Sequence, residues 1–268
     1  MHGATFADLP VELSEHIILI AARAYAVTAR GTVVNLSRTS RAIHALVQPI
    51  LLETVVLDSR NFLFIFRTAK RPSAFSATYR LFITPGITPN LHSIAGAFSN
   101  LRAFTGPFQV VVPLLVAAPR ITHLVFVDNV SIDGILNIAS VWPKVTHISS
   151  RTIPTEYSAA WPAKEWPSAL SYLLLDVDPG PDESSGRFLV GNLRVVLAHI
   201  TLKRVLVRLL RLRTRRTLEA LVHLTALLND PRLCFDFVPD EGFVYDPVST
   251  FDTANWLAGQ PVYVASAD

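Results

Sequence analysis

Three stretches of this chain carry almost the same phrase: Ala118-Pro119-Arg120-Ile121-Thr122-His123-Leu124, Trp142-Pro143-Lys144-Val145-Thr146-His147-Ile148, and Trp166-Pro167-Ser168-Ala169-Leu170-Ser171-Tyr172-Leu173. Their first apolar residues, Ile121, Val145 and Leu170, lie 24 and 25 residues apart. Looser copies begin near Leu101, Leu202 and Leu233, so the steps from Leu101 onward are 20, 24, 25, 32 and 31 residues. A repeat of this length constrains the fold more than composition does. One unit cannot bury its apolar face alone, so neighbouring units must stack.

Within a unit, Ile121, Leu124, Phe126 and Asn129 fit L-x-x-L-x-L-x-x-N without a gap, and Leu170, Leu173, Leu175 and Asp178 repeat it. Leu202, Val205 and Val207, and earlier Leu52, Val55 and Leu57, follow the same spacing. The pattern resembles the leucine-rich repeat, in which a short strand points alternate residues into the stack and a polar amide serves the turn that follows. Leu124, Phe126, Ile148, Leu173 and Leu175 are expected to point inward, alternating with Val125, Ser149 and Leu174. Helical spacing separates the strands, as in Ile132, Ile135, Leu136 and Ala139 after a Ser131 cap, and in Leu218 to Leu228. The expected fold class is therefore α/β: a small all-helical N-terminal head followed by an irregular leucine-rich-repeat-like solenoid with a parallel sheet. An ordinary α/β domain of βαβ units has the same alternation and stays open as an alternative. Half the residues are hydrophobic and 17% are charged, which suits a large buried sheet and not a disordered chain. The acid-rich stretch Asp176 to Gly186 is expected to be a surface insertion, and the aromatic, acidic C-terminal part with Phe235, Phe237, Phe243, Tyr245, Phe251 and Trp256 is expected to close the stack as a cap. The expected division is residues 1–50 for the head, 51–240 for the repeats and 241–268 for the capping segment.

The first fifty residues lack the repeat. Pro10 suits the first turn of a helix, Glu12 and Glu15 place charge near its positive end, and Leu13, Ile17, Ile20 and Ala24 follow at helical spacing. A second apolar face, Val33, Leu36, Ile43, Leu46 and Val47, is expected to end before Pro49.

The run Leu9-Pro10-Val11-Glu12-Leu13 with Ile17-Ile18, followed by Leu36-Ser37-Arg38-Thr39-Ser40-Arg41-Ala42-Ile43-His44-Ala45-Leu46-Val47-Gln48-Pro49, resembles the F-box motif. Leu52 to Leu57 is similar to the strand that leaves the motif in fungal F-box-like proteins with degenerate leucine-rich repeats. The resemblance implies a substrate-recognition subunit of a Skp–cullin–F-box ubiquitin ligase. Its head would dock on a Skp-type adaptor through Leu9, Pro10, Leu13, Ile17 and Ile18, with Leu36, Ile43 and Leu46 holding the head together. The repeats would hold an unknown protein substrate. A repeat scaffold with no ubiquitin role and a small α/β enzyme are the other readings.

No catalytic residue, cofactor site or metal site is assigned. The chain contains no His-Glu-x-x-His, Gly-x-Ser-x-Gly or glycine-rich phosphate loop. One cysteine, Cys234, leaves no disulfide and no cysteine-cluster zinc site, and it is expected to be core filler. His123 and His147 recur at one repeat position, which points to architecture. Arg187 to Arg216 holds nine Lys or Arg and no acid, but Leu and Val alternate through it, so solvated repeat edges are expected before nucleic-acid binding. The longest apolar run, Val110 to Ala118, is too short to span a bilayer and no secretory leader is visible, so a cytoplasmic or nuclear location is expected.

Overall fold

The structure, a computed structural model, describes residues 9–26, 29–71, 73–152, 169–177, 183–210, 228–237 and 260–261. Among them lie seven α-helices and nine strands in one sheet. The fold is α/β, with three helices before the first strand: α1 (Val11–Tyr25), α2 (Arg30–Ser37) and α3 (Arg41–Glu53).

The strands are β1 (Thr54–Leu57), β2 (Arg80–Ile83), β3 (Ala103–Gly106), β4 (His123–Asn129), β5 (His147–Thr152), β6 (Tyr172–Val177), β7 (Arg204–Leu209), β8 (Leu233–Phe237) and β9 (Gln260–Pro261). They lie side by side in chain order. The first eight pair parallel, and β9 pairs antiparallel with β8. The order never reverses, so these strands contain no switch point of the doubly wound kind.

One unbroken row crosses all eight parallel strands: Val55, Leu81, Phe104, Leu124, Ile148, Leu173, Val205 and Leu233 stand in register and are all buried. These side chains form one core with residues from α4 (Phe62–Ala69), α5 (Val111–Ala117), α6 (Ile132–Val141) and α7 (Glu183–Leu197). The helices between strands thus pack on a single face of the sheet. Gly106 makes room in that core. A β-carbon there would lie 2.8 Å from the far edge of the Phe104 ring and 3.0 Å from Cβ of Ile83.

Several local expectations hold. Leu124, Phe126, Ile148, Leu173 and Leu175 belong to the core, Cys234 is buried, and Ser131 caps α6 by accepting from the Gly134 N–H. Others need correction. Pro49 lies inside α3, which starts at the Ser40 cap and runs on to Glu53. Asp176 and Val177 complete β6 and are buried, and α7 begins at Glu183, so the acid-rich stretch is not one surface insertion. The helix expected from Leu218 lies outside the described residues, as does most of the capping segment. Asn129 is exposed, because the pairing of β4 with β5 shifts between Phe126 and Asn129. The Asp128 carboxylate serves that end of the strand instead, accepting from the Phe108 N–H at 2.9 and 3.0 Å.

Arg30 joins the N-terminal helices to the sheet. Its guanidinium donates to the carbonyls of Leu51 at 2.9 Å and Thr54 at 2.7 Å, where α3 ends and β1 begins, and weakly to Ala26 at the end of α1. A cation suits the negative end of a helix, and one planar fork replaces several missing backbone donors.

Two substitutions test this arrangement. Leu124→Ala should cost about 2–5 kcal/mol in a denaturant melt, and a loss below about 1 kcal/mol would contradict its place in the row. Arg30→Met keeps the aliphatic stem but orphans the carbonyls, and should cost about 2 kcal/mol; an unchanged melt would show that Arg30 does not join the two parts.

Candidate functional site

Strands that are buried on one face leave their alternate side chains to the other, and in-register pairing sorts these into rows. The row at the strand starts runs Thr54, Arg80, Ala103, His123, His147, Tyr172 and Arg204. The next includes Phe82, Thr105, Val125, Ser149, Leu174, Leu206 and Cys234. A third, on the later strands, alternates in charge: Arg151, Asp176, Arg208 and Asp236.

Val125, Ser149 and Leu174, which alternate with the inward residues, belong to this middle row, and the row is buried as well. It lies between a row of rings and a row of paired charges, whose longer side chains flank it. His123 stacks on His147 with ring centres 4.1 Å apart, and His147 stacks on Tyr172 at 4.6 Å. The Thr122 and Thr146 hydroxyls hold the Nδ1 atoms of His123 and His147 at 2.9 and 2.8 Å, which fixes both ring planes. The recurring histidines are therefore architectural, each ring set by the unit beside it.

In the charged row, Arg208 grips both oxygens of Asp176, Nε to Oδ1 at 2.6 Å and Nη2 to Oδ2 at 2.8 Å. Burial pushes the Asp176 carboxyl up, while Arg208 and then Arg151 pull it back. Neither partner could be removed cheaply, since the other would stay buried and charged.

At the strand starts the ring row opens into a cleft of about 690 Å³ between the N-terminal helices and the sheet. Arg23 and Ala26 from the end of α1, Ile50 and Glu53 from α3, and Thr54, Tyr79, Arg80, Arg102, Ala103, Thr122 and His123 from the sheet side line it. Arg102 lies over the Tyr79 ring at 5.3 Å. Among the described lining residues three guanidiniums thus face one carboxylate. Burial and then the Arg80 charge pull His123 below its ordinary range, and burial and then His123 bring His147 down to about 4.

The sequence motifs do not single out this cleft, because its residues come from five segments. Arg80 and Arg102 become neighbours only through pairing of β2 with β3. Nothing in the spacing of single residues carries that signal.

The residues expected to meet an adaptor lie elsewhere, on α1. Leu9, just before the helix, is 38% exposed; on α1 Leu13 is 51%, Ile17 46% and Ile20 54% exposed, and at spacings of four and three these three share one side of the helix. Pro10 is also exposed, at the N-cap, and its carbonyl accepts from Leu13 and Ser14. Ile18 is half buried and turns toward the small core of Ala22, Ala26, Val33, Val47 and Ile50, against which Leu36, Ile43 and Leu46 also pack.

Among the described residues no group of three His, Cys, Asp or Glu is placed to hold a metal ion, and no helix is long and apolar enough to cross a membrane. No protein-family model, curated protein or solved structure matches the chain.

The lowered histidines have a consequence for stability. Below the ordinary value of 6.5 the unfolded chain takes up protons that the folded His147 refuses until about pH 4. Protonation then favours unfolding, so stability falls as the pH drops through that window. His199, also brought down to about 4 by burial and then by Arg232, acts in the same direction. His147→Phe keeps a ring in the stack without the proton. It should lose less stability than the parent between about pH 7.5 and about pH 5 in denaturant melts, and an equal loss would remove His147 from the account.

Proposed function

We propose that the chain is the substrate-recognition subunit of a Skp–cullin–F-box ubiquitin ligase. In this reading α1–α3 are an F-box-like head, the parallel strands are an irregular leucine-rich-repeat-like solenoid, and the chain itself performs no catalysis. The head docks on a Skp-type adaptor and through it on the cullin. The repeats present the protein to be modified.

The observation that carries the reading is the exposed apolar set Leu9, Leu13, Ile17 and Ile20 on a three-helix unit whose described core is the small cluster Ala22, Ala26, Val33, Val47 and Ile50. Apolar residues gathered on one exposed side mark a contact surface more often than scattered ones do. The stripe lies on the segment whose sequence resembles the adaptor-binding motif. Strand order supports the second half of the proposal. Parallel strands laid down in chain order, with the intervening helices on one face, are what stacked repeats require.

The test is binding of the full chain to a purified Skp-type adaptor. Leu13→Ala with Ile17→Ala should weaken it by about thirtyfold, or about 2 kcal/mol, while the melting temperature stays put because both side chains are exposed. Undiminished binding by this variant would remove the stripe as the contact. No binding by the unaltered chain would remove the ligase reading and leave a repeat scaffold.

A further inference from the structure

We infer that the cleft between the N-terminal helices and the starts of β1–β4 is a binding site for an acidic peptide segment of a partner protein. The inference does not use the adaptor or the apolar stripe, so it stands or falls separately from the ligase reading.

Its first support is charge. Arg23, Arg80 and Arg102 border the same space, and among the described lining residues Glu53 is the one carboxylate. An excess of cations in a concave, partly dry site focuses a positive field and favours anions. Burial first, and the Arg80 charge after it, pull His123 below its ordinary range, so Arg80 acts on its neighbours across the cleft wall. Guanidiniums also match carboxylates in shape, since one planar fork can give two parallel hydrogen bonds.

The second support is the distribution of those charges. One guanidinium comes from the end of α1 and two from the sheet side, around about 690 Å³ that Ile50 and Ala103 make partly apolar. That is more room than one small anion fills, and it lies within the range of pockets that enclose sizeable ligands. Charges spread over separate walls suit several carboxylates on one chain better than a single compact dianion. Arg102 is steadied over the Tyr79 ring, which reduces the freedom it must lose on binding.

The third support is continuity. The cleft ends at His123, and the register carries its lining onward to His147 and Tyr172 on the next two strands. Two strand spacings add about 10 Å, or roughly three residues of extended peptide. The stacked rings turn their faces to one another along this path, and the Thr122 and Thr146 hydroxyls hold them there. An extended chain uses such a path and a compact anion does not.

The experiment is fluorescence anisotropy with the full chain and three labelled probes: octaglutamate, a neutral serine–glycine octapeptide and an eight-nucleotide single-stranded RNA. Octaglutamate should bind saturably, with the neutral peptide and the RNA each at least about tenfold weaker. Arg80→Gln and Arg102→Gln should each weaken octaglutamate by about tenfold, the loss of one charge-assisted contact, at an unchanged melting temperature. Arg23→Gln, on a different element, carries the same expectation should either sheet variant melt early. Arg67→Gln, exposed on α4, should change nothing. Absence of saturable octaglutamate binding, or equal weakening by Arg67→Gln, would overturn the site. RNA binding as tight as octaglutamate would overturn the peptide and point to nucleic acid.

Discussion

Parallel pairing in chain order governs this molecule. After each strand the chain must return to the same end of the sheet before it can pair again, so every connection has to travel back along a face. The helices α4 to α7 join one core on one face, and that core contains the unbroken row from Val55 to Leu233. The details follow from the row. Gly106 has no side chain because the Phe104 ring and Ile83 occupy that place, and the strand positions facing the helices are apolar with few exceptions, such as Ser150.

A sheet with its helices on one face has a second face, and in-register pairing puts like positions beside one another there. Rings stack on rings from His123 to Tyr172, and opposite charges alternate from Arg151 to Asp236. Both rows lie beside a buried, mostly apolar one, which also holds Thr105 and Ser149. Two arginines secure the helix ends. Arg30 serves the end of α3, and Arg232, held by Asp230, donates to the carbonyls of Leu197 and His199 where α7 ends. In each case a cation meets the negative end of a helix and ties it to the adjoining strand.

The two surfaces that invite partners differ in chemistry because they arise differently. On α1 the stripe is the remainder of an amphipathic helix whose opposite side, with Ala22 and Ala26, already packs on α2 and α3. A three-helix unit has too little interior to cover both sides. The cleft exists because those helices meet the sheet only where α3 runs into β1, and the angle between them is lined by side chains from both. One surface is apolar and lies on a helix, and the other is rich in arginine and concave.

Periodicity made much of this legible. The Pro-preceded phrases at Ile121, Val145 and Leu170 mark the starts of β4, β5 and β6, the Ser131 cap marks α6, and Leu13 and Ile17 mark one side of α1, because local spacing alone sets which residues share a face. Strand β2 lies in no copy of the phrase, and Pro49 reads as a stop yet sits within α3, since packing of Val47 and Ile50 outweighs one missing hydrogen bond. Asp176 reads as a loop acid and is a strand residue, because Arg208 arrives beside it from 32 residues away. Local sequence thus determined most of the elements, the inward residues of β4 to β6 and the exposed side of α1. Tertiary pairing alone decided the charge row, the buried middle row and the arginine cleft, because these depend on which distant residues a parallel register sets side by side.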